Sequence, residues 1–275
     1  MELIDVNDVL LRPKITVSIV LYNNRPEQLE LIIKEFMDFS EKNKRICEAE
    51  LILTNNNSTS LNTKSFLDKL GGFGDIKIID LDSNLGFGAG HNKAFEVSKS
   101  DYFFVINPDI SGLKLIDVKT VVNYFQKHPD VGMLAPRLHD VHGNLQLTNK
   151  LQSTVFDQFV RLLGPRVFKK RQQKFTQACQ PLAYKTVNAA NNAQGAALFF
   201  VACVYEKIGG FDEKYFLYME DADITMKVNQ VARSVYFPNI VLTHEWQQKN
   251  RSLKGITIMI RSMFIYYKKW GWKLW

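Results

Sequence analysis

The sequence predicts an α/β fold: a mostly parallel sheet with helices on both faces, followed by a helical C-terminal segment. Three observations predict it. Short β-branched, apolar runs recur through the first half of the chain, each stopped by a turn rich in Asn, Asp or Gly. Amphipathic stretches at helical spacing lie between them. With 275 residues, 46% apolar and 23% charged, the chain can bury a substantial core. Strands that alternate with helices at this spacing favour parallel pairing through crossover helices.

Taken in order, Ile15 to Leu21 reads as a buried strand between Pro13 and Asn23-Asn24. Pro26 suits the first turn of a helix running to about Phe39, with Leu29, Ile32, Ile33 and Phe36 on one face. Glu50 to Thr54 is a second strand, ended by Asn55-Asn56-Asn57-Ser58. Asp75 to Leu81 is a third, ended by a turn from Asp82 that runs through Asn84 into Gly86-Phe87-Gly88-Ala89-Gly90-His91-Asn92. A helix follows to about Ser98. A fourth strand, Tyr102 to Ile106, runs into Asn107-Pro108-Asp109, and a helix over 115–127 and a strand over 131–135 complete the series.

In such sheets ligands bind beyond the carboxyl ends of the strands. Those ends here carry Tyr22-Asn23, Asn55-Asn56, Asn84 with its glycines, and Asp109. Each is an ordinary turn signal alone; four on one edge point to a ligand site. The glycine run is no dinucleotide fingerprint, because it follows the third strand instead of the first. It could still let backbone approach a ligand and open a helix whose N-terminus attracts phosphate.

After Pro136 the alternation loosens. His139 to Asn144 reads as a turn, Gly195 to Val201 as a buried strand, and Ser234 to Phe237 as a short strand with Thr243-His244-Glu245 beyond it. Between the last two strands lies Gly209-Gly210-Phe211-Asp212-Glu213, leading to Glu220-Asp221-Ala222-Asp223 at a helix start. Acids there can simply cap the helix and complement its dipole. His244, structural if alone, becomes a candidate metal ligand beside Asp109 and this cluster.

The net charge of +7 is local. The last thirty residues hold seven Lys/Arg, all four tryptophans and no acid, so the remaining 28 basic side chains balance the 28 acidic ones. Ile256 to about Lys269 is helical in pattern. Two readings stand for it: a contact with the headgroup layer of an anionic membrane, or a helix packed on the core with a basic end. Arg161 to Lys174 carries six basic residues around Gly164-Pro165, which suits a solvated loop or an acceptor or phospholipid contact. No nucleic-acid motif accompanies these charges. Three cysteines without metal-ligand spacing favour a reducing, cytoplasmic compartment, and Met1 to Leu11 does not read as a secretory signal.

Val20-Leu21-Tyr22-Asn23, the run from Asn84 to Asn92, Asn107-Pro108-Asp109, and Gly210-Phe211-Asp212-Glu213 through Asp223 resemble, together and in this order, the family 2 glycosyltransferases. Their rhamnosyltransferase-like branch, which works in bacterial surface-polysaccharide synthesis such as that of O-antigen, is the most similar. The resemblance covers about residues 14 to 246. It implies a GT-A fold of Rossmann-like type over 1–246, with a nucleotide-binding half over about 14–135 and an acceptor and catalytic half over about 136–246. The basic aromatic helix of 247–275 follows as a separate segment. It also implies a dTDP- or UDP-sugar donor, Mg²⁺ or Mn²⁺, inversion at the anomeric carbon, and a glycan or lipid-linked oligosaccharide acceptor. An enzyme of this kind would sit at the inner face of the cell membrane.

Carried over by position, Tyr22, Asn23, Asn55, Asn84, Gly86, Gly88, Asn92, Asn107 and Asp109 line the donor pocket, with Asp109 and His244 at the metal. Asp221 takes the place of the catalytic base, with Glu220, Asp223 and Gly195 supporting it or the acceptor. Two departures stand out: Asn55 occupies a place usually held by Asp, and Asn107 the first acid of the DxD motif, so two charges are lost. The chemistry is coherent, since an acceptor hydroxyl needs a positioned carboxylate to take its proton. A different sugar, hexose or galactofuranose, and a non-catalytic glycan-binding module are the competing readings.

Overall fold

The structure, a computed structural model, describes residues 12–70, 74–163, 167–180, 182–245 and 253–275. The expectations for Met1 to Leu11, Gly164-Pro165, Trp246, Lys249 and Arg251 lie outside the described residues, as do the side chains of Arg161 and Lys254.

Nine strands among the described residues form one sheet: β1 Lys14–Leu21, β2 Glu48–Asn55, β3 Ile76–Asp80, β4 Tyr102–Ile106, β5 Ile110–Ser111, β6 Val131–His139, β7 Asn188–Ala189, β8 Ala197–Val201 and β9 Arg233–His244. They lie in the order β3-β2-β1-β4-β8-β6-β9-β5, and β7 also pairs with β9. The pairings β3-β2, β2-β1, β1-β4 and β6-β9 are parallel and include the longest ladders. β8 runs antiparallel between β4 and β6. The sheet is therefore mostly parallel, with β8 reversed at its centre and the two-residue strands β5 and β7 antiparallel to β9.

The helices are α1 Pro26–Asn43, α2 Leu61–Leu70, α3 Phe87–Val97, α4 Val118–Lys127, α5 Val155–Leu163, α6 Lys169–Phe175, α7 Ala202–Lys207, α8 Glu220–Val231 and α9 Leu253–Trp270. β1 and β4 are almost wholly buried because helices cover both sheet faces, so neither strand can alternate polar with apolar. α1 shows why its pattern reads cleanly. Pro26 sits in its first turn, and Leu29, Ile32, Phe36 and Phe39 form a buried stripe at spacings of three and four. The helix continues past Phe39 to Asn43, whose amide donates to Phe39 O at 2.9 Å and satisfies a carbonyl in the last turn.

Two expectations are corrected. The last strand does not stop at Phe237 but runs to His244, so Thr243 and His244 belong to it. Pro238 breaks the pattern because proline cannot donate to a ladder, and the register against β6 slips there, from Pro136 opposite Phe237 to Arg137 opposite Val241. Beyond the slip, Ile240, Leu242 and His244 are buried while Val241 is exposed, the alternation of a half-buried strand. The short helices α2, α5, α6 and α7 were not legible at all.

Candidate functional site

The parallel half of the sheet sets the carboxyl ends of β1 to β4 on one edge, as the turn pattern requires. The residues there divide into those with free edges and those committed to holding loops. Tyr22 is half-exposed. Asn23 adopts φ 56°, a left-handed conformation that a short polar side chain tolerates. Its Oδ1 accepts from the Thr59 and Ser60 N–H groups, both at 2.8 Å, tying the loop after β1 to the loop after β2. Asn55 is buried; its Nδ2 donates to Asp80 Oδ1 at 2.7 Å and its Oδ1 accepts from Ser58 N–H at 3.0 Å. Asp80, at the end of β3, thus puts a carboxylate beside the place where Asn55 lacks one. Sequence reasoning missed it because the two residues meet only across the β2-β3 ladder.

The glycine run has a packing task. Gly86, at φ +94°, has Phe216 O where a Cβ would sit, at 2.3 Å. A Cβ on Gly88 would meet that of Phe211 at 2.6 Å, and one on Gly90 would meet Val20 at 2.7 Å. The Phe87 N–H at the start of α3 donates to Phe216 O at 3.2 Å. These glycines therefore bring α3 against β1 and the 211–216 loop, whose Phe216 carbonyl takes up the first N–H of the helix. Asn84 turns the chain, its Oδ1 accepting from Gly86 N–H at 3.0 Å. Asn92 bolts the loop down. Its Nδ2 donates to Phe211 O and Glu213 Oε1, and its Oδ1 accepts from Tyr205 OH and Phe211 N–H, all at 2.8–3.0 Å. All four of its hydrogen-bonding positions are taken.

Asp109 and His244 come together through β5 and β9, which pair Ile110 with His244 while Glu245 N–H donates to Asp109 O at 2.9 Å. His244 Nε2 lies 3.4 Å from Asp109 Oδ1. His244 is buried, and its other nitrogen, Nδ1, is 2.9 Å from Gln146 Oε1. The Gln146 amide is oriented by its own donation to His244 O at 3.0 Å, so Oε1, an acceptor only, faces Nδ1. Nδ1 must then carry a proton. In the neutral ring, Nε2 offers a lone pair toward the Asp109 carboxylate, an arrangement that a cation between them relieves. Asp109 Oδ1 and, at the same turn, Asn107 Oδ1 are buried oxygens without a hydrogen-bond partner. Hard, oxygen-rich donors with one imidazole fit Mg²⁺ or Mn²⁺, which take one or two protein ligands and complete their shell with phosphates and water. Among the described residues no group of three or more His, Cys, Asp or Glu could hold a metal. The protein share of such a site is two charged or imidazole ligands.

The acid cluster opens α8. Tyr218 and Met219 before it hold positive φ, 70° and 67°, unusual for such side chains, and turn the helix start inward. Glu220 and Asp223 are buried, and Asp221, on the side of the helix it shares with Thr225 and Val228, is half-buried. Asp223 is fully buried and bound by Tyr215 OH, Lys269 Nζ and Trp270 Nε1, the last at 2.7 Å, so it ties α8 to α9. Glu220 has a buried Oε2 without a partner. Burial, and then the neighbouring Asp221 charge, push its carboxyl up to about 8. Asp221 faces Gly195: a Cβ there would meet that of Asp221 at 3.1 Å, and Gly195 N–H points at Asp221 Oδ2 from 3.4 Å. The next residue, Ala196, accepts from Asn107 N–H at 2.8 Å. The segment Gly195-Ala196 thus touches the acid cluster on one side and the Asn107-Asp109 turn on the other.

A profile of glycosyl transferase family 2 matches residues 16–184, more than half of the chain. The chain belongs to glycosyl transferase family 2. Asp221 and His244 lie beyond that matched stretch, so their place in the site stands on geometry. The chain is similar to the N-acetylglucosaminyl-diphospho-decaprenol L-rhamnosyltransferase of Mycobacterium tuberculosis, 25% identical over 208 residues that cover 70% of this chain and 66% of that protein. The chain therefore spans just under two thirds of the length of this curated relative. Among solved structures it is similar to the mannosyltransferase PcManGT from Pyrobaculum calidifontis in complex with GDP-Man and Mn²⁺, with a TM-score of 0.55, 14% identity and coverage of 87% of this chain and 59% of that one. It is also similar to S. aureus TarS 1-349 in complex with UDP-GlcNAc, with a TM-score of 0.57, 17% identity and coverage of 86% and 59%. At these identities the likeness is one of fold, the GT-A fold that the sequence resemblance implied.

Proposed function

We propose that this chain carries out inverting glycosyl transfer, moving a sugar, rhamnose, from a nucleoside diphosphate donor to a hydroxyl of a lipid-linked glycan. The observation that carries the reading is the contact of Gly195-Ala196 with both Asp221 and the Asn107 turn. A proton acceptor and a diphosphate-binding corner then flank one segment, as a single displacement needs. The rhamnosyl donor and lipid-linked acceptor are supported by the name of the mycobacterial relative.

In this reading Asp221 takes the proton of the acceptor hydroxyl while that oxygen bonds to the anomeric carbon and the nucleoside diphosphate leaves from the opposite face. One displacement inverts the sugar; retention would require a carboxylate nucleophile on the other face. Tyr22, Asn84 and the Asp80 carboxylate line the nucleoside end, while Asn23, Asn55 and Asn92 keep the surrounding loops in place. Asp109 and His244, with the Asn107 amide oxygen at the same turn, would hold a divalent cation. When bound, it neutralises charge developing on the diphosphate.

The test is to incubate the full chain with dTDP-rhamnose, UDP-sugars or GDP-mannose and a polyprenyl-diphosphate-linked acceptor, then read the anomeric configuration of the product by NMR. The expected product is one glycoside of inverted configuration. A retained product would overturn the single displacement. Donor binding without either transfer or hydrolysis would identify a non-catalytic binding module.

A further inference from the structure

Two basic, aromatic stretches about a hundred residues apart in sequence meet on one surface of the fold, and the C-terminal tail joins them. Val155 N–H donates to Lys273 O at 2.9 Å and Phe156 N–H to Leu274 O at 3.2 Å, which seats the tail along the start of α5. Trp275 packs on Phe156 with ring centroids 4.3 Å apart, and Phe156 meets Phe168, just before α6, at 5.3 Å. At the other end of the tail, Trp272 meets Phe264 of α9 at 5.4 Å. A row of rings runs from Phe264 through Trp272 and Trp275 to Phe168. All four are more than half exposed, and Trp275 is 78% exposed. An exposed apolar row of this length on a folded chain marks an interaction surface.

Its charge is one-sided. Arg261 and Lys268 on α9, and Lys169, Lys170 and Lys174 on α6, are all exposed. In α5, α6, α9 and the tail the one acid is Asp157, which is buried and paired with Arg171 at 2.6 Å. None of these segments brings an exposed acid to the face, and Asp212, from the loop before α8, is paired with Lys269 of α9 at 2.9 Å.

We infer that this face docks on an anionic lipid bilayer, with the rings in the headgroup layer and the lysines over the lipid phosphates. Indole and phenyl rings beside exposed cations suit that layer, where one side of each ring is apolar and the other wet. Uncompensated Lys and Arg are drawn to an anionic leaflet. A second copy of the chain is the poorer occupant, because pairing the face with itself would oppose like charges. The docking goes beyond sugar transfer and does not depend on it. It also bears on the site: α9 is fastened to α8 through Asp223, so a docked α9 holds Asp221 at a fixed height over the lipid.

The experiment is cosedimentation of the full chain with vesicles of phosphatidylcholine alone and of phosphatidylcholine with one quarter phosphatidylglycerol. Two variants are run beside it. The first carries Lys169→Glu, Lys170→Glu and Lys174→Glu, exposed changes on α6; the second carries Trp272→Ser and Trp275→Ser. The melting temperature of each in solution reports folding, and the α6 variant keeps the test decisive where loss of Trp275 packing loosens the tail. Expected are binding to the anionic vesicles only, weakening with salt, and at least a tenfold loss of vesicle affinity in each variant. Equal binding to both vesicle types, undiminished binding of the α6 variant, or a dimer in solution that ignores vesicles would each overturn the inference.

Discussion

Gln146 decides which nitrogen of His244 faces the site. Its Oε1 fixes the proton on Nδ1, and its Nε2 holds the strand carbonyl of the same residue. Outer groups of this kind change metal affinity by about 10–100-fold when removed. Gln146→Leu should therefore weaken Mn²⁺ binding, read from the loss of the free-ion EPR signal, by roughly tenfold or more. Gln146→Glu should restore much of it, since a carboxylate also accepts from Nδ1–H. Equal Mn²⁺ affinity in the Leu variant would remove Gln146 from this role. Glu220 is the second residue whose environment is unusual. Its carboxyl is raised from an ordinary 4.5 to about 8 by burial and by Asp221. A raised carboxyl lends its stability below pH 4.5 and loses it as pH climbs through the folded value, because the unfolded chain ionises first. Glu220→Gln, neutral throughout, should thus gain stability over the native chain between about pH 5 and pH 8, on the order of a few kcal/mol. Parallel melting curves across that window would contradict the assignment.

At the scale of elements, α9 is a structural member of the site. The sequence left open whether the C-terminal helix packs on the core or lies against a membrane. The structure packs one face, burying Tyr266 and Tyr267 and donating Ser262 Oγ to Leu217 O at 2.8 Å, and leaves another face exposed. Asp223, with no exposed surface, takes two of its partners, Lys269 and Trp270, from α9. Removing partners from a buried charge costs about 3–5 kcal/mol. A chain ended after Gly255 should lose stability of that order in urea unfolding, and Trp270→Phe a smaller part, about 1.5–3 kcal/mol for a bond to a charged group. An unchanged urea midpoint in the shortened chain would show α9 to be dispensable to α8. Asp223 was read from sequence as a supporting acid, but its link between α8 and α9 was not legible there. Its partners lie 46 and 47 residues away, and nothing in the local pattern announces them.

For the whole molecule, what was legible follows from where its information lies. The buried strands β1 and β4 and the stripe of α1 carry their periods within a few residues, so their existence and the shared edge of Tyr22, Asn55, Asn84 and Asp109 could be read locally. The Asp80–Asn55 contact, the Gln146–His244 contact and the seating of the tail on α5 are made across the sheet or between distant segments, and no local pattern encodes them. The glycines show a third case. Gly86, Gly88 and Gly90 were legible as positions of close approach, but whether the approaching group is a ligand or the 211–216 loop depends on tertiary packing. The account of the molecule turns on Asp221, the half-buried acid of the cluster that faces Gly195. Its most direct measurement is kcat and donor Kd for Asp221→Asn beside Glu220→Gln and Asp223→Asn. The account predicts that Asp221→Asn keeps donor Kd while kcat falls by about 10²-fold or more. Near-normal kcat in Asp221→Asn, with a collapse in Glu220→Gln, would give the proton to the buried neighbour and contradict it.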